Sequence, residues 1–226
     1  MKTPRLLAAA LLVTTVGCLY NTRGPSTLSE NMYAHFGDVG LVQTAVIEGR
    51  LDDAREAARR VATSPIDQGL PPGSEPYMAR LREQADRVAG AETLRRAAEA
   101  TAEMAAACGN CHAELDRSAP FSLANTPPPA APAAGHMLRH LWGADRLWEG
   151  LMGPSDELWS IGALALTDAP LGFDEAAGTE VVESLARAVH DIGSRAEEAL
   201  GPGDRAELYG RLLTTCADCH RLVGAN

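Results

Sequence analysis

CGNCH at residues 108–112 returns as CADCH at residues 216–220, so whatever this chain folds into must present the same Cys-x-x-Cys-His unit twice. The surrounding landmarks return with it. Sliding the chain by 105 residues places His140 on His35, Met137 on Met32, Pro170 on Pro65 and Ala163 on Ala58. It also sets Leu147 on Val42 and Leu151 on Val46. The two pentapeptides are 108 residues apart, so only three residues of length difference accumulate between the copies. The fold is therefore expected to be built from two versions of one unit.

Within a unit the apolar period is helical. Met32, His35, Phe36, Val39, Val42 and Val46 fall at steps of three and four, the spacing of one helix face. A turn is expected near Gly49, then an Ala- and Arg-rich helix over 52–62. Residues 64–74, with three prolines and two glycines, read as a loop. Two further helices are expected, over 75–88 and from 91 through the cysteine motif. In the second copy the turn falls on Gly153-Pro154-Ser155, where Ser155 is a good N-cap. Asp204 and Glu207 read as a capping-box variant opening the last helix. Ala and Leu dominate, aromatics are only 4% of residues, and strand-forming runs are missing, so the class is all-α. Residues 117–134 (with Pro-Pro-Pro, then Ala-Pro) form a Pro/Ala-rich linker between a first domain at 29–116 and a second at 135–226.

The N-terminus reads as a targeting segment. Lys2 and Arg5 precede an apolar stretch over 6–16, which ends at Gly17-Cys18. Eleven apolar residues fall short of the roughly 20 needed to cross a bilayer, so 1–18 is expected to be a signal peptide and 19–28 a tether. Thr15-Val16-Gly17-Cys18 looks like a lipoprotein cleavage box, which makes Cys18 the candidate lipidation site. The expectation is an exported, periplasmic protein, with a lipid anchor to the membrane if Cys18 is modified. Loss of Lys2 and Arg5 leaves 18 basic against 30 acidic residues, an acidic chain to which nucleic acid is an unsuitable partner. A redox partner with a basic docking patch would suit it, although acidity also serves solubility.

With Cys18 set aside, the four remaining cysteines admit several chemistries. A disulfide framework is ill served by two-residue spacings, and a thioredoxin-like motif needs a βαβ context that is missing here. Zinc could take four thiolates. The His that follows each second Cys points instead to c-type haem attachment. Cys108, Cys111, Cys216 and Cys219 would carry two covalent haems by thioether links, with His112 and His220 as proximal iron ligands.

Each half, four helices with Cys-x-x-Cys-His near the end of the fourth, resembles the class II cytochromes c, the cytochrome c-prime family and its low-spin relatives. The resemblance implies two tandem four-helix-bundle haem domains, in each of which a first-helix residue faces the far side of the iron. Low-spin members use a Met there, which argues for Met32 and Met137; five-coordinate members leave the position open. The repeated His35 and His140 are the preferred distal ligands, since an imidazole in an apolar core needs a partner for its nitrogens. His136, expected to precede the first helix of the second domain, and His190, expected on its third helix, have no counterparts in the first half; His190 is read as solvated or hydrogen-bonded in preference to bordering a haem edge. Trp142, Trp148 and Trp159 are read as core packing. Two six-coordinate irons would make an electron carrier, not an enzyme. The alternatives are a haem-based gas-binding or gas-sensing protein and a small haem peroxidase or nitrogen-oxide reductase with one open iron; a zinc-binding module is a further one.

Overall fold

The computed structural model describes residues 27–65, 69–117, 119, 121–123, 126–129, 133–167, 180–199 and 201–224. The expected leader and tether up to residue 26, the lipidation candidate Cys18 and the landmark Pro170 lie outside the described residues. Among the described residues eight helices run in order: α1 Leu28–Ile47, α2 Leu51–Thr63, α3 Glu75–Ala89, α4 Leu94–Glu114, α5 Ala133–Met152, α6 Asp156–Thr167, α7 Glu180–Ala196 and α8 Pro202–Val223. No strand occurs among the described residues, and the all-α class stands.

Local chemistry sets most helix ends. Thr27 and Glu30 close a capping box at α1, with the Glu30 amide donating to the Thr27 hydroxyl and the Glu30 carboxylate accepting from the Thr27 amide. Gly49, at φ +73°, reverses the chain between α1 and α2, a conformation that glycine adopts without strain. Thr93 caps α4 and Ser155 caps α6, each accepting from the amide three residues on. The expected Asp204/Glu207 box at α8 does not form. Gly201 is the N-cap and Pro202 the first helical residue, since proline's fixed φ starts the helix two residues earlier than the acidic pair. A second correction concerns His136, which lies within α5 and not before it. The alanines after Pro132 carry the helix back to Ala133, one turn ahead of His136.

Neighbouring helices pack in chain order, α1 on α2, α2 on α3 and α3 on α4, and α1 also touches α4. Helices α5 to α8 repeat this circuit, with α5 touching α8. Short connections such as residues 48–50 and 153–155 make consecutive helices antiparallel neighbours. The expected apolar stripe of α1 is the buried one: Val39, Val42 and Val46 are fully buried, and their counterparts Leu147 and Leu151 are buried on α5.

The two sets of four helices join through α4 and α8, which pack as closely as neighbours within a set. Small residues permit this. A Cβ on Gly210 of α8 would lie 3.3 Å from the Glu99 Cα and 3.6 Å from the Ala102 Cβ of α4. Ala97, Ala98, Ala100, Ala102, Ala105, Ala106 and Ala107 are all buried, so α4 is apolar on nearly every face, as a central helix must be. One continuous apolar cluster takes in residues from both sets. Inside it the Gln43 amide nitrogen donates to the Tyr209 hydroxyl at 2.7 Å and approaches an Asp145 carboxylate oxygen at 3.4 Å. Trp148 and Trp159 are buried in the core, as expected, and the Trp159 indole donates to the Ala196 carbonyl at 2.7 Å.

Candidate functional site

Both cysteine motifs lie in the last turns of a long inner helix, CGNCH on α4 and CADCH on α8. A three-residue step puts Cys108 and Cys111 on one helix face, and Cys216 and Cys219 likewise. All four are half-buried free thiols. Burial, reinforced by the neighbouring cysteine, pushes Cys108 and Cys216 up to about 12, and burial also raises Cys111 and Cys219. A redox-active Cys-x-x-Cys pair requires the opposite shift, toward thiolate. Among the described residues no three His, Cys, Asp or Glu side chains converge as a metal-ion site, so the pairs are not gathered into a four-thiolate zinc centre.

His112 follows on α4 with its ring half-buried. Its Nδ1 lies 2.9 Å from the Met152 carbonyl oxygen, at the C-terminal end of α5. A carbonyl can only accept, so Nδ1 carries the proton and Nε2 keeps the lone pair. Burial lowers the pKa of His112, against a rise from that hydrogen bond, and favours the neutral ring. On α8, His220 places a buried Nδ1 that has no hydrogen-bond partner among the described residues.

The distal candidates sit in the N-terminal halves of α1 and α5. His35 is buried at 6% exposure, and neither ring nitrogen has a hydrogen-bond partner among the described residues. Burial lowers its pKa; Asp38 pulls the other way and Arg82 of α3 adds to the depression. The first turn of α3 is within electrostatic reach of the motif as well, through Tyr77 beside Cys111. Helix α3 packs along α4, the helix that carries the first cysteine motif. Met32 is half-buried against the core.

In the second half His140 is half-buried, whereas Met137 is 41% exposed. Burial, with the neighbouring His136 adding to it, lowers His140 to about 4. His136 is itself buried, its ring centroid 4.2 Å from that of His140. This His-His pair is a feature that the residue order could have shown, since positions 136 and 140 share a helix face once α5 begins early enough. In the first copy the equivalent of His136 is Asn31. His190 is half-buried on α7, its ring 3.9 Å from the Asp191 carboxylate.

This donor set suits covalent haem. Each inner helix offers two reduced thiols on one face and an imidazole beside them, and His112 already has the tautomer that leaves Nε2 free for iron. Four side chains, those of Cys108, Cys111, Cys216 and Cys219, would hold the two porphyrins, and His112 and His220 would bind the irons from the proximal side. No protein-family model, curated protein or solved structure matches the chain.

Proposed function

We propose that this chain is an exported dihaem c-type cytochrome that carries single electrons between redox partners of the periplasm or membrane. Its two helical sets are read as tandem four-helix-bundle haem domains of the class II cytochrome c kind, joined by the Pro/Ala-rich segment at 117–134. The observation that carries the reading is His35: a buried neutral imidazole with neither nitrogen hydrogen-bonded among the described residues, a costly arrangement unless a further partner is present. Iron is such a partner, and His35 with His112 would complete one six-coordinate site. His140 with His220 would complete the other. The exposure of Met137 favours His over Met as the distal ligand in the second half.

Bound haem supplies a one-electron iron couple whose potential follows from its axial ligands and its burial. The chain's own part is to fix the imidazoles, exclude water from the iron with apolar helices, and hold the ligands unchanged in both redox states. Two fixed imidazoles leave no open coordination position, which favours electron transfer over substrate chemistry. The leader over 1–18 would take the protein across the inner membrane, and lipidation at Cys18 would keep it on a membrane surface. Among the described residues no helix is long and apolar enough to cross a membrane. The acidic chain would suit a partner with a basic docking patch.

Visible spectra with and without carbon monoxide test this. The wild-type protein should be low-spin in both oxidation states and should not bind carbon monoxide when reduced. His35→Ala and His140→Ala should each turn one haem high-spin and open it to carbon monoxide. Ready binding by the wild type would favour a gas-binding protein or a peroxidase with one open iron. Unchanged spectra in both variants would remove the histidines as ligands.

A further inference from the structure

Each cysteine motif rests on the end of a helix from the opposite half of the chain. The α4 motif abuts the C-terminus of α5, and the α8 motif abuts the turn that ends α1. At the first contact a Cβ on Gly109, inside CGNCH, would overlap the Leu151 carbonyl oxygen, so only glycine allows this approach. The approach delivers the next carbonyl, that of Met152, to His112 Nδ1 at 2.9 Å. That carbonyl belongs to the last turn of α5, where helix ends leave oxygens without backbone donors. The amides of the turn that follows donate to earlier carbonyls, Gly153 to Glu149 and Ser155 to Gly150. His112 therefore supplies a proton that the α5 end lacks.

At the second contact the glycine is on the other side. Residue 217 of CADCH is alanine, and the room is provided by Gly49 in the turn after α1. A Cβ at Gly49 would stand 3.2 Å from the Ala217 carbonyl oxygen and 2.8 Å from the Arg221 Cγ. Ile47 is the residue equivalent to Met152 and is buried as Met152 is. Yet His220 Nδ1 makes no hydrogen bond among the described residues. The halves are thus cross-braced at both motifs, but only the first brace reaches an imidazole.

We propose that the Met152 carbonyl, admitted by Gly109, is the positioning group for His112, so that the first haem site is completed by the second half of the chain and differs electronically from the second. The inference rests on the haem reading above. A hydrogen bond from Nδ1 makes an imidazole more basic toward a metal and fixes its plane. A more basic ligand stabilises ferric iron, so the haem at Cys108/Cys111 should have the lower of the two potentials, given the same distal ligand type.

Two measurements test it. In proton NMR of the ferric protein, the His112 Nδ1 proton should exchange with water more slowly than that of His220. In a spectroelectrochemical titration, Gly109→Ala should raise the lower of two potentials and leave the upper one in place, whereas Ala217→Gly should move neither. Equal exchange rates for the two Nδ1 protons would overturn the proposal even if Gly109→Ala does not fold. So would a folded Gly109→Ala protein with both potentials unchanged. If the purified protein carries no covalent haem, the haem reading fails separately. The positioning claim is then read by nitrogen-15 NMR of the haem-free chain, where His112 should be the Nδ1–H tautomer and its appearance as the Nε2–H tautomer would refute it.

Discussion

Removing the hydroxyl of Tyr209 should weaken the whole molecule and not one half of it. The side chain is fully buried on α8, and its oxygen accepts from the Gln43 amide of α1 at 2.7 Å. Tyr209→Phe keeps the ring and its packing against Trp148, at 5.6 Å between centroids, and deletes only the acceptor. A buried hydrogen bond of this kind contributes about 1 kcal/mol net, and an abandoned donor costs about 1–3 kcal/mol. Gln43 keeps a longer contact to Asp145 at 3.4 Å, which places the loss near the lower end, about 1 kcal/mol. For a chain of this size that is a fall of about 2–4 °C in Tm. Gln43→Met should cost more, since it strands the Tyr209 hydroxyl in the core. If the two groups bond across the halves, the double variant should lose less than the sum of the singles, by about 0.5–2 kcal/mol. Urea melts followed by far-UV circular dichroism and by Soret absorbance would measure this, and both probes should report one shared transition. Additive losses within about 0.3 kcal/mol, or two separate transitions, would refute the claim that these residues join the halves into one core.

The remaining predictions concern other parts of the same framework. Gly210→Leu should destabilise by several times more than Tyr209→Phe, because its branched side chain must displace the α4 backbone at Ala98–Glu99; a melt within about 0.5 kcal/mol of wild type would contradict the close α4–α8 crossing. Arg205→Ala should cost about 1–2 kcal/mol, since the buried guanidinium bonds Asp156 at 2.7 Å and the Ala199 carbonyl at 3.2 Å while covering the Trp159 ring. In protein made without haem, His140 is lowered from 6.5 to about 4, so the unfolded chain binds more protons between those values and stability should rise with pH across that window. The span corresponds to up to about 3 kcal/mol, fully present above pH 6.5 and lost below about 4; a flat pH–stability curve that His140→Phe does not change would contradict it.

What the residue order shows and hides follows from where each signal is carried. The α1 stripe is legible because Val39, Val42 and Val46 recur at helical spacing, and all three are buried. The turn at Gly49 and the Ser155 cap are equally local. Helix α4 is equally legible as a helix, with Arg95, Arg96 and Glu99 on its wet edge, but its alanine-rich dry side does not name its neighbours, and its close crossing with α8 at Gly210 depends on a residue more than a hundred positions away. The same holds for the site. Both cysteine motifs and the repeated His35 and His140 can be read from spacing. The carbonyl that fixes His112 comes from the backbone of Met152, which has no side-chain signature at all. His136 was legible only in part, because its place beside His140 depended on whether α5 began before or after it.

The most direct test of the central claim is the number of haems that stay on the chain. A pyridine haemochrome assay on protein produced with the c-type haem attachment machinery, paired with intact mass spectrometry after acid–acetone extraction, should give two covalently bound haems per chain. Cys108→Ser/Cys111→Ser and Cys216→Ser/Cys219→Ser should each reduce that number to one. Protein that retains no haem after extraction, or keeps two haems when either cysteine pair is removed, would contradict the account.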